Sequence, residues 1–172
     1  MAQVNYEDNG LVLIKKSTFS AVASVSIDNC FSADYSQYKI ILDSSFTDSQ
    51  ALYTRLRASG TDNSTNNYAD QFINADSTTI SGNRRTAQSL WINFPFHMRT
   101  DKSIGISEIL NPFQSTYTFA FKADGEAASG TSIQLQIASY AFNGTDSFDG
   151  FSLITHVGTM TGTVYVYGYV ES

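Results

Sequence analysis

The sequence predicts an all-β protein, an antiparallel β-sandwich of jelly-roll type with about eight or nine strands, in one domain spanning residues 1–172. Three observations predict it. Apolar residues recur at every second position in segment after segment, which is the spacing of a half-buried strand. Between those segments lie stretches rich in Asn, Asp, Gly and Ser, such as ASGTDNSTNN at 58–67, SGNRR at 81–85, KADGEAASGT at 122–131 and FNGTDSFDG at 142–150, which are turn formers. No helical period holds over a dozen residues, and most of the acids are Asp, the residue of turns and caps, not Glu.

Taken in chain order, GLVLIKK supplies a first strand. In FSAVASVSID, Phe19, Ala21, Ala23, Val25 and Ile27 fall on one face and Ser20, Ser24 and Ser26 on the other. YSQYKIILDS places Tyr38, Ile40 and Leu42 together. ALYTRLRAS sets Leu52, Leu56 and Ala58 against Tyr53, Arg55 and Arg57, and SLWINFPF aligns Leu90, Ile92, Phe94 and Phe96. STYTFAFKA stacks Tyr117, Phe119 and Phe121 as a core face against Thr116, Thr118 and Lys122. TSIQLQIASY does the same with Ile133, Leu135 and Ile137 against Gln134 and Gln136. FSLITHVG and TVYVYGYV complete the set. A turn of helix fits ISEILNPF, stopped by Pro112.

Charge and composition exclude several functions. Asp and Glu number 16 against 10 Lys and Arg, a net charge of −6, so the long-range attraction to phosphate that nucleic-acid binding needs is missing. Arg55 and Arg57, or Arg84 and Arg85, read as solvated residues flanking strands. Cys30, the single cysteine, has no internal disulfide partner and reads as a small buried hydrophobe. The N-terminal segment carries no basic stretch ahead of its short apolar run, so no signal peptide is expected, and no stretch approaches the length of a membrane-spanning helix. Synthesis in a cytoplasm follows, and the sequons at Asn63 and Asn143 then carry no meaning.

Chemistry is sparse. His97 and His156 lack a second His or Cys at metal-ligand spacing and read as structural. There is no phosphate loop and no nucleophile elbow. The nearest carboxylate pairs are Asp146 with Asp149 and Asp62 with Asp70, all in loops. Asp146, Asp149 and the carbonyls around Gly144 offer hard oxygen ligands for calcium, but turn formation alone accounts for NGTDSFDG. No catalytic residue, metal or cofactor is therefore expected, and a hydrolase ranks last among the readings.

The positive signal is surface. Tyr165, Tyr167 and Tyr169 alternate with Val164, Val166, Gly168 and Val170, so both faces of the last strand are partly apolar. Tyr140 and Phe142 stand opposite Ile133, Leu135 and Ile137. Such second faces mark association, and these five aromatics are the predicted interface; burial of the tyrosines under a loop or the N-terminal segment of the same chain is the plainer alternative. Trp91 alternates out of the core face of its strand. With Tyr53 it is the candidate contact for a glycan, rings stacking on sugar faces, unless it caps the core edge.

The arrangement of segments resembles a family of small β-sandwich virion proteins encoded near the structural genes of tailed bacteriophages. The residues that carry the resemblance are the leading NGLVLIKKSTFSAVASVSID, the tyrosine-marked YSQYKIILDS, the following LYTRLRASGT and the closing GTMTGTVYVYGYVES. The resemblance implies a non-enzymatic component of the particle exterior, commonly a trimer, contacting other virion proteins of capsid or tail, as a capsid decoration or as a tail-fibre or receptor-binding head. It transfers no catalytic residues. The last strand here is richer in tyrosine than that family's usual ending.

Overall fold

The computed structural model describes residues 10–48, 51–76, 78–95, 103–127 and 133–170. Among them there are thirteen strands and no helix: β1 Leu11–Val22, β2 Ser24–Ile27, β3 Gln37–Phe46, β4 Leu52–Ala58, β5 Thr61–Asp62, β6 Tyr68–Asp76, β7 Thr79–Gln88, β8 Trp91–Ile92, β9 Ser103–Leu110, β10 Thr118–Ala127, β11 Ile133–Phe142, β12 Gly150–Thr155 and β13 Met160–Tyr169. All pairings are antiparallel. They build an eight-stranded sheet, β1-β13-β3-β9-β10-β11-β6-β7, and a smaller sheet, β2-β12-β4-β5, with β8 also on β4.

Eight of these strands pair as the two arms of one long hairpin. β1 pairs with β13, β2 with β12, β3 with β9 and β4 with β8. Successive rungs fall alternately in the large and the small sheet, which is the rolled path of a jelly roll. Two hairpins are inserted in that path. β6 and β7 enter between β4 and β8, and β10 and β11 between β9 and β12. Both join the large sheet beyond β9 and double its width.

The alternation of β3 and β13 is realised as expected. Tyr38, Ile40, Leu42, Val164 and Val166 are buried, and together with Ile27, Phe151 and Leu153 from the small sheet they form a continuous core. Gly168 interrupts the valine face because Tyr35 packs there: a Cβ on Gly168 would come within 2.6 Å of the Tyr35 ring. FSAVASVSID is not one strand. The ladder breaks its register between Phe19 and Val22, Ala21 takes a φ of 51°, and the chain crosses from the large sheet to the small one. The turn of helix expected in ISEILNPF is likewise absent, because Ser103–Leu110 is β9, hydrogen-bonded on both sides to β3 and β10. SGNRR is mid-strand in β7, and KADGEA belongs to β10.

Two strands are turned over relative to the expectation. In β10, Thr118, Ala120 and Lys122 point inward and are buried, while Tyr117 just before it, Phe119 and Phe121 are each about half exposed. In β11, Ala138, Tyr140 and Phe142 are buried and Leu135 and Ile137 face out. Size decides the matter. The inward side meets a cluster of large rings, with Trp91 5.5 Å from both Tyr68 and Phe94 and 5.7 Å from Tyr140. At native packing density such a cluster needs small neighbours; Ala120 and Ala138 supply them, and a second row of phenylalanines would not fit.

Candidate functional site

The outer face of the large sheet is the unusual surface of this protein. One row of the ladder crosses all eight strands as Leu13, Tyr167, Lys39, Glu108, Phe121, Ser139, Gln71 and Arg84. Its neighbouring row runs Lys16, Tyr165, Ile41 and Ile106 on one side and Ala123, Ile137, Ile73 and Gly82 on the other. The face thus divides into two halves of different chemistry.

The half made by β1, β13 and β3 carries Tyr165, Tyr167 and Tyr169. All three are half-buried, and cations of the same sheet cover two of the rings. Lys16 Nζ lies 5.5 Å from the Tyr165 ring centroid and Lys39 Nζ 5.8 Å from that of Tyr169, within cation–π range. The Tyr169 hydroxyl donates to Glu108 Oε1, and Gln37 Nε2 donates to Glu108 Oε2 at 3.2 Å. Burial first, and then the bond to Glu108, holds the Tyr169 phenol above its ordinary pKa. These tyrosines are on the predicted face, already engaged with neighbours in the chain.

The other half, made by β9, β10, β11, β6 and β7, is mainly aliphatic and aromatic, crossed by the row of Glu108, Ser139, Gln71 and Arg84. β9 contributes Ile104 and Ile106, β10 Phe119 and Phe121, β11 Leu135 and Ile137, and Ile73 and Ile80 extend it over the inserted hairpin. Exposures run from 41% at Ile137 to 77% at Ile80. Isolated exposed apolar residues need no explanation, whereas a contiguous set does.

The remaining candidates lie elsewhere. Trp91 is fully buried, its Nε1–H donating to the Ala141 carbonyl at 3.0 Å. Neither ring face is open to a sugar, because Asn93, with a φ of 57°, shifts the alternation so that both Trp91 and Phe94 turn inward. Tyr140 and Phe142 are likewise core residues and not interface residues, the Tyr140 hydroxyl donating to the Asn93 carbonyl at 2.8 Å. Tyr53 is half-exposed on the outside of the small sheet, paired through its hydroxyl with His156 Nδ1 at 2.9 Å. Phe96 and His97 lie outside the described residues.

The carboxylates expected in loops are structural staples, and two of them, Asp62 and Asp70, lie in strands β5 and β6. Arg57, nearly buried, bonds Asp28 at 2.6 Å and also Asp62, which takes a further bond from Ser152 Oγ at 2.7 Å. Asp70, on the inner side of β6, is bound in bidentate fashion by Arg85 and by the Ile92 N–H. Arg57 and Arg85 are thus paired groups, not solvated ones. Asp149 accepts the Ser59 N–H at 3.0 Å, and Asn63 Nδ2 donates to Asp146 at 3.4 Å. Among the described residues no three His, Cys, Asp or Glu side chains converge as metal ligands, and no helix is long and apolar enough to cross a membrane. Cys30 is buried, and desolvation pushes its thiol well above the ordinary range.

The aliphatic half was hidden in the sequence because its residues satisfy the pattern of a core face. A signal for it exists in β11. Leu135 and Ile137 are odd-numbered while Tyr140 and Phe142 are even, so no single face of the strand holds all the apolar residues. No protein-family model matches the chain, and neither a curated protein nor a solved structure matches it.

Proposed function

We propose that this protein is a non-enzymatic structural component of a tailed-phage virion, assembled in the host cytoplasm and working as a homotrimer on the particle exterior, as a capsid decoration or a tail knob. One observation carries the reading: after the sandwich has closed its core, the large sheet retains a broad apolar outer face. A face of that kind is stable in water when a partner covers it. The Ser- and Thr-rich, weakly charged composition suits the rest of an exposed particle component, and the segment resemblance suits the setting. Light scattering over a range of concentrations tests the assembly. The expected result is a constant mass three times the 18.9 kDa of one chain; a mass of one chain at every concentration overturns it.

A carbohydrate-binding role stands as the second reading, resting on Tyr53 with the neighbouring 58–70 loop now that Trp91 is inside. Saturable binding on a glycan array that disappears in Tyr53→Ala supports that role. Silence on the array leaves the structural reading alone.

A further inference from the structure

The two inserted hairpins have a joint effect that neither has alone. Each is spliced into a different place in the jelly-roll path, yet both extend the same sheet on the same side. Together with β9 they make a surface whose outward side chains include Ile106, Phe119, Phe121, Ile137, Ile73 and Ile80, crossed by one polar row of Glu108, Ser139, Gln71 and Arg84. Its inward face buries the rings of Tyr68, Phe72, Tyr140 and Phe142 together with Lys122, Ser107, Asp70 and Gln136. The extension therefore has large apolar side chains on both of its faces, one in the core and one outside.

Building on the assembly reading, we propose that this extension is the surface on which further copies of the same chain dock. The area suits a subunit contact. At the exposures observed, side chains of this size leave on the order of 1,000 Å² of apolar surface. The largest patch on an ordinary monomer is about 300–600 Å², and a standard interface takes roughly 800 Å² from each partner.

The chemistry selects the occupant. An apolar sheet face is stable in water when another apolar surface covers it. The outer side of the small sheet does not qualify, since it presents Ser24, Ser26, Arg55 and the Tyr53–His156 pair. Among the described residues, the matching surface is this face itself, repeated on a second copy.

The test uses the intact chain and three variants. Ile106→Glu and Phe121→Glu place a charge on the surface without touching the core, so each stays folded, with the thermal unfolding midpoint of a dissociated wild type. Light scattering should report single chains for both and the multimer for the wild type. In the third variant, Ile137→Cys, the new thiol is the only accessible one because Cys30 is buried. A bifunctional maleimide with a reach of about 10 Å, the spacing of packed sheets, should then join chains in pairs across the contact. A multimer that survives both glutamates and gives no cross-link overturns this surface while leaving assembly intact. A wild type that is a single chain throughout overturns both.

Discussion

Trp91 reaches the Ala141 carbonyl through its ring N–H and packs against Tyr68, Phe94 and Tyr140. Truncating it empties the centre of that cluster. Trp91→Ala should cost about 3–5 kcal/mol of stability, read as a lowered denaturant midpoint with an unchanged slope, and it should leave any glycan binding by the folded protein untouched. Arg57 sits at the other end of the scale of polarity. It ties Asp28, Asp62, Ser152 and the Gly60 carbonyl at one end of the small sheet. Both carboxylates are about a third exposed, so water relieves part of the loss, and Arg57→Ala should cost about 1–3 kcal/mol in the same measurement. The sequence offered Arg57 as a solvated strand residue; it lies in β4 but is nearly buried and paired. That three separate segments converge on it is a property of the fold, and no spacing along the chain encodes it.

Among the elements, β13 shows how a single glycine can be a packing residue. Tyr35 from the β2–β3 loop lies on Gly168, and an added side chain would enter its ring. Gly168→Val restores the valine alternation on paper and should nevertheless destabilise by about 1–3 kcal/mol through overpacking, with thermal unfolding as the check. The same strand shows what alternation can reveal: one face of Val164 and Val166 was legible because its neighbours Ile40 and Leu42 carry the same period. For β10 and β11 the period was equally clear and the face was wrong. Alternation divides a strand into two sides, and the choice between them belongs to whatever stands opposite, here the rings around Trp91. β7 left no signal at all. As an edge strand it is held by backbone bonds to β6 and buries almost no side chain, so SGNRR reads as a turn. Both misreadings fell on the inserted hairpins, which is why the aliphatic half of the outer face, and with it most of the candidate surface, went unseen while the tyrosine half was found.

At the scale of the whole molecule, several groups that ionise in alkali are buried in their neutral form. Burial raises the phenols of Tyr38 and Tyr68 and the thiol of Cys30 above their ordinary values. The unfolded chain releases these protons first, from about pH 9 for the thiol and about pH 10 for the phenols. Above those values it binds fewer protons than the folded chain, so stability is full below about pH 9 and falls as pH rises. Urea midpoints should be level between pH 7 and 8.5 and decline towards pH 11. A midpoint that holds to pH 11 would contradict the burial of these groups. The nested pairing of the strands carries a different consequence, one of time. β13 lies between β1 and β3 in the large sheet, so Leu11 meets its partner Tyr169 only after nearly everything between them has left the ribosome. At about 5–20 residues per second that is a delay on the order of ten seconds or more. Until then β1 has no neighbour and β3 lacks one of its two. The nascent chain is therefore a holding state, open along the seam that its final strand will close, and crowding on a polysome is the condition under which neighbouring chains would compete for that seam.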